Sequence, residues 1–132
     1  MKNNSYCIGR YGEKIAADYI TKKGYFISAK NYKSSMGEID IIAENREYVL
    51  FIEVKLRNKS AGYSPKEAVT AKKRRRIIYT AKNYLFRSKC MQQPRFDIIE
   101  IIADKINEDG SAEGISINHI ENAFGVTEDE FF

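Results

Sequence analysis

The sequence predicts an α/β fold with a mixed sheet, in the order helix, three strands, helix, strand. Three observations lead there. Ile8, Tyr11, Ile15, Ala16, Tyr19 and Ile20 recur at helical spacing and Gly24 follows as a stop signal, which predicts a helix over about residues 5–23. Tyr25 to Tyr32, Gly37 to Ala43 and Tyr48 to Val54 are then three runs rich in β-branched and aromatic residues. The turn segments Ser34-Ser35-Met36-Gly37 and Glu44-Asn45-Arg46 between them predict an antiparallel meander. Finally, Leu56 to Pro94 is long enough to be a crossover, so the strand Arg95 to Ile102 can lie parallel to the third.

Within that crossover, Ser64-Pro65-Lys66-Glu67 reads as a helix start, with a Ser cap, Pro at the first helical position and Glu completing a capping box. The helix should run to about Lys89 with Ile77, Ile78, Ala81, Tyr84 and Leu85 inward. Glu108-Asp109-Gly110 turns into a last, weaker strand near Ile115 to His119, a small C-terminal addition. The 132 residues show no repeat and no Pro/Gly linker. They read as one domain over 1–124 and an acidic tail over 125–132.

Composition narrows the classes. With 43% hydrophobic and 30% charged residues the chain is an ordinary globular protein, not a disordered one. No run approaches the length of a membrane span, and MKNNSYCIGRYGEK has no apolar stretch ahead of a cleavage site. A cytoplasmic location is therefore expected, and Cys7 and Cys90 fit a reducing compartment. Two cysteines and one histidine exclude the zinc sites built from those ligands. Carboxylates and lysines are the plentiful chemical groups.

The net charge of +4 hides an asymmetry. Residues 54–89 hold 12 of the 22 basic side chains against Glu67 alone, whereas residues 97–132 hold ten acids against Lys105. So concentrated a basic segment suggests a polyanion, with nucleic acid favoured over a merely solvated helix face.

Strand alternation places Glu53 and Lys55 on one face and Ile52 and Val54 on the other. Asp40 lies within an otherwise apolar strand that should sit beside them. Ionised groups inside a sheet are costly unless paired or bound to a metal. Asp40 and Glu53 could both ligate one Mg²⁺, with Mn²⁺ as a substitute. Lys55 could then orient and help deprotonate a water and neutralise charge as a phosphorane forms. Spacing alone is equally compatible with Lys55 pairing with Asp40 or Glu53 at a strand end; the basic segment that follows tilts the reading towards a phosphodiester hydrolase.

Asp40 followed by Glu53-Val54-Lys55 resembles the D…(D/E)-x-K signature of restriction-endonuclease-like nucleases. More closely, five ordered blocks resemble the YraN-like bacterial family: Gly9-Arg10-Tyr11-Gly12-Glu13, Gly37-Glu38-Ile39-Asp40, Phe51 to Arg57, Glu67-Ala68-Val69-Thr70 with Lys72, and Arg95-Phe96-Asp97. The blocks span about residues 9–100. The resemblance implies a restriction-endonuclease-like αβββαβ core, PD-(D/E)xK in type and related to archaeal Holliday-junction resolvases. It implies Asp40 and Glu53 as metal ligands, Lys55 as the catalytic lysine and Glu13 as the first-helix acid completing the metal site. Leu56 departs from the small or hydroxyl residue expected there, but its side chain should point away from the Lys55 face.

Secondary candidates are weaker. Glu38 shares the strand face of Asp40, and a surface acid is an equal reading. Lys72 should share the face of Ala68 and Val69 and point at the scissile phosphate, whereas Lys73, Arg74, Arg75 and Arg76 contact flanking phosphates. Arg57 and Lys59 are expected in a loop as further phosphate contacts. Tyr63, Tyr79 and Tyr84 read as core rather than base-stacking residues, Arg95 and Asp97 as an internal ion pair, and His119, Cys7 and Cys90 as incidental.

The expected function is a Mg²⁺-dependent endonuclease or DNA-processing protein acting on structured or branched DNA, DNA being preferred over RNA. Two-site cutting makes a homodimer the natural assembly. The alternative is a nucleic-acid-binding module with the nuclease fold and no turnover.

Overall fold

A computed structural model describes residues 4–60 and 69–125. Helix α1 spans Asn4–Lys22, strands β1, β2 and β3 span Phe26–Lys33, Glu38–Glu44 and Tyr48–Asn58, helix α2 spans Ala71–Ser88, and β4 spans Gln93–Ala103. A two-residue pair follows, β5 (Lys105–Ile106) with β6 (Ala112–Glu113), and then β7 (Ser116–Phe124). The main sheet is ordered β1-β2-β3-β4-β7. β1, β2 and β3 form the expected antiparallel meander, β4 runs parallel to β3, and β7 returns antiparallel to β4.

Alternation along the strands gives the sheet two apolar faces. Ala16, Ala17 and Ile20 of α1 pack against Ile41, Leu50, Ile52, Ile99 and Ile101. Ile77, Ile78 and Ala81 of α2 pack against Ile42, Phe51, Phe96 and Ile98 on the other face. Each of the fully buried isoleucines contributes about 1.5–3 kcal/mol by leaving water. Gly12 matters on the first face, because a Cβ there would come within 3.3 Å of Leu56 Cβ. Gly37 does the same on the second: a Cβ would sit 3.1 Å from Arg76 Cβ. Its absence lets the start of β2 lie against α2, where Thr80 Oγ1 also bonds Ser34 Oγ at 2.7 Å.

Three expectations are corrected. The helix expected to run unbroken from Ser64 is interrupted. Its proposed start lies outside the described residues, but Thr70 is extended (φ −64°, ψ 162°) and caps α2 by accepting from Lys73 N–H. A β-branched residue with a short hydroxyl favours that cap over a mid-helix position. β3 continues past Lys55 to Asn58, since its ladder with β4 runs unbroken to Asn58↔Ala103. β7 is also longer than expected, held by backbone pairing and by Phe124 stacking on Phe96 (ring centres 5.2 Å apart), which its polar residues Asn118, Glu121 and Asn122 disguise.

Thr70→Ala should therefore cost about 1 kcal/mol in urea unfolding, and Thr70→Asn much less, since only the first removes the acceptor.

Candidate functional site

The ladder between β2 and β3 ends at Ile41↔Ile52, although both strands continue beyond it. Asp40 stands where they part, and its Oδ2 accepts a 2.8 Å hydrogen bond from Val54 N–H. A side chain thus takes over from the backbone ladder, and the splayed strands leave a cleft. Glu53, on the α2 face of β3, is 4% exposed.

Four charged groups converge here. Lys73 forms an ion pair with Glu53 Oε2, and Lys55 Nζ lies 3.9 Å from the same oxygen. That oxygen is buried, yet no donor among the described residues reaches it with hydrogen-bond geometry. Burial pushes the Asp40 carboxyl up to about 9, helped by the contact and charge of Glu53 and by the charge of Glu13, while Val54 N–H pulls it down. Burial also lowers Lys55, and the positive charge of Lys73 adds to this against the opposing pull of Glu53. For Lys73 burial works downward as well, but its contact with Glu53 outweighs it and holds the ammonium above its ordinary value.

Asp40, Glu53 and Lys73 are shared walls of two cavities. One, about 480 Å³, opens towards Glu38, Lys72 and Arg76. The other, about 190 Å³, opens towards Glu13, Lys55 and Leu56. The hard oxygen donors of Asp40 and Glu53, with one buried oxygen lacking a hydrogen bond, suit a divalent cation, which would also relieve the repulsion between the two acids. Among the described residues no three acidic, histidine or cysteine side chains form a ready ligand set. Glu13 lines the smaller cavity, with its Oε1 accepting from Asn31 Nδ2 at 3.0 Å.

Asp40, Glu53 and Lys55 are thus neighbours around one cleft, as the strand pattern suggested. Lys72 and Lys73 exchange the geometry expected of them. Lys72 is exposed at the cavity rim, whereas Lys73 is half-buried on Glu53. The helix begins at Ala71, so its phase is set by Ile77 and Ala81, and counting back one turn from Ile77 finds Lys73. Arg57 lies in β3 rather than a loop, with its Nε donating to Glu100 Oε2 at 2.7 Å. Glu100 is 1% exposed, and the pairing Lys55↔Glu100 between parallel strands brings that acid within reach. Lys59, Arg74, Arg75 and Arg76 are exposed, and Glu38 is exposed at the wider cavity. Leu56 packs into the α1-side core, away from the Lys55 face as expected.

Tyr84 is half-buried and donates to Glu44, whereas Tyr79 is 48% exposed; Tyr63 lies outside the described residues. Arg95 grips Asp97 through two 2.9 Å hydrogen bonds, the expected internal pair. His119 is not incidental. Its Nε2 lies 2.7 Å from Asp97 Oδ2 and its Nδ1 lies 3.2 Å from Tyr19 Oη, so it joins β7 to β4 and α1. One histidine in a polar strand carries no sequence signal for that contact.

The model of one family, described as an uncharacterised protein family, matches residues 12–101, a span that includes Glu13, Asp40, Glu53, Lys55, Lys72 and Lys73. The chain belongs to UPF0102. This is the family to which the YraN-like blocks pointed. A UPF0102 protein of Clostridium botulinum (strain Loch Maree / Type A3) is 40% identical over 126 residues, covering 92% of this chain and 98% of the relative. One from Caldanaerobacter subterraneus subsp. tengcongensis is 44% identical over 124 residues, covering 93% and 98%.

Two outcomes are expected of this UPF0102 chain. Because Asp40 holds its proton more tightly folded (about 9) than unfolded (3.8), its contribution to stability is full below about pH 4. It is lost as pH rises towards 9. Asp40→Asn should keep the Val54 hydrogen bond and offer an N–H to Glu53. It should raise stability in metal-free buffer at pH 8 by about 2 kcal/mol and flatten the decline between pH 5 and 9, read by urea titration at each pH. Arg57→Met should instead cost about 3 kcal/mol, because it strands buried Glu100; Arg57→Met combined with Glu100→Met should recover most of that in the same titration.

Proposed function

We propose that this protein is a metal-dependent phosphodiester hydrolase acting on DNA, with structured or branched DNA as its substrate class. The observation that carries the reading is the convergence of Asp40, Glu53 and Lys55 where β2 and β3 part, beside the basic first turn of α2. The order α1-β1-β2-β3-α2-β4 supports reading the fold as a restriction-endonuclease-like core. Asp40 and Glu53 would hold Mg²⁺ or Mn²⁺, with Glu13 on the adjoining wall, and the cation supplies charge neutralisation at the phosphate when bound.

The chain's own residues account for the rest. Lys72 and Arg76 at the rim of the wider cavity attract and position the backbone phosphates. Lys55, lowered by burial, stands beside the carboxylates, where it can orient the attacking water and stabilise negative charge growing on the phosphoryl oxygens. Glu53 keeps Lys55 and Lys73 anchored, so these charges are in place before the substrate arrives. A branched substrate presents two equivalent strands, and a two-fold homodimer would present two such clefts.

One observation favours a second reading. Lys73 already neutralises Glu53, so the cleft can carry its charges without a cation. A nucleic-acid-binding module with this fold and no turnover would need nothing more.

The deciding measurement is cleavage of matched linear, flap and four-way-junction DNA with Mg²⁺ or Mn²⁺. Cutting that disappears with EDTA and in Asp40→Ala, Glu53→Ala and Lys55→Ala is expected, with losses of about 10³-fold or more. Binding without cutting under all these conditions would hand the protein to the second reading.

A further inference from the structure

We propose that the nucleic acid runs through the carboxylate cleft rather than ending in it, continuing into a second basic arm that α1 and β1 build around Lys14 and Lys30. This rests on the nucleic-acid reading above and adds the path of the chain.

Three cavities adjoin. The about 480 Å³ cavity beside α2 and the about 190 Å³ cavity share Asp40, Glu53 and Lys73. The smaller one shares Glu13 with a third, of about 580 Å³, whose walls include Arg10, Lys14, Lys30 and Asp109. The three cavities thus follow one another from the N-terminal turn of α2, across the carboxylates, to the outer side of α1 and β1, the last two lying on either side of Glu13. The wall between the second and third cavities is held in place. Asn31 adopts φ 52°, and its amide donates to Glu13 Oε1 at 3.0 Å.

Charge is ordered along this path. Glu13, Asp40 and Glu53 lie at its middle with Lys55 and Lys73, whereas bases outnumber acids on both flanks: Lys72 and Arg76 against Glu38 on one, Arg10 and the exposed Lys14 and Lys30 against Asp109 on the other. Lys55 and Lys73 balance the central acids, so the bases on the two flanks hold a phosphate chain on either side and place one internal phosphodiester at the carboxylates. A cleft basic on one flank only would suit a chain terminus. The two-flanked path instead selects internal positions, so neither a free 5′ nor a free 3′ end is needed.

The test is binding in EDTA, followed by fluorescence anisotropy over a salt series. The probe is single-stranded DNA of about 30 nucleotides, several site sizes long. Lys14→Glu/Lys30→Glu is compared with Lys22→Glu/Lys105→Glu, which makes the same charge change away from the path, and with Lys72→Glu/Arg76→Glu. The arm variant should bind about tenfold more weakly than that control, and its slope of log K against log salt should be shallower by about 1.4, the share of two phosphate contacts on a single strand. A closed circular single strand should compete as well as a linear one of equal length. Lys14→Ala/Lys30→Ala gives the same slope change without charge reversal and decides the matter if the reversed pair melts early. An arm variant that matches the control, while the α2 variant loses affinity, overturns the through-path and leaves the nucleic-acid reading standing. Wild-type protein that binds neither this strand nor a four-way junction at low salt overturns both, and binding to the junction alone overturns the through-path.

Discussion

The hydrogen bond from Val54 N–H to Asp40 Oδ2 is the contact around which the rest of the site is arranged. Where an antiparallel ladder would continue, a carboxylate substitutes for the neighbouring strand, so β2 and β3 part without leaving a buried donor unpaired. The parting brings two acids close together in a half-enclosed space, an expensive arrangement for ordinary stability. Its cost shows as an Asp40 carboxyl that keeps its proton far above the usual carboxylate range. The cores on the two faces of the sheet offset that cost, and at Gly12 and Gly37, which line the cleft, the missing Cβ permits a close approach of Leu56 and Arg76.

The charges on the α2 face of β3 have two different fates, decided by their neighbours. Glu53 and Lys55 face the cleft and the first turn of α2. Arg57, two residues further on, meets the buried Glu100 of β4 and is committed to an internal pair. On the other face of β4, Asp97 collects Arg95, His119 and the Asn122 N–H, which ties the edge strand β7 into the sheet. Buried pairs of this kind contribute little net stability over apolar packing, but removing one partner is costly, so they enforce register. One sheet thus carries ion networks closed within the core at β4 and one that opens on a cleft where β2 and β3 part.

Much of this was legible beforehand. The element order, the meander, the parallel β4 and the inward face of α2 follow from apolar periodicity and turn residues, which are local. The neighbourhood of Asp40, Glu53 and Lys55 was legible too, because strand alternation and a short turn leave little choice of pairing. The family blocks narrowed it further. Less legible was the start of α2: the cap at Thr70 went unread, so the face of Lys72 was counted forward from Ala68 and Val69, which precede that cap, instead of back from Ile77. Lys72 and Lys73 changed places for that reason alone.

By itself, then, the sequence determined the layers, the order of the strands and the set of acids and bases available, since each depends on spacing within a single element. Only the tertiary structure decided which lysine neutralises Glu53, that Arg57 belongs to Glu100, and that His119 closes on Asp97. Those choices depend on the phase of one helix and the register of two parallel strands. A shift of one residue in either turns a side chain through about 100° in the helix or onto the opposite face of the strand, and no local pattern resolves so fine a difference.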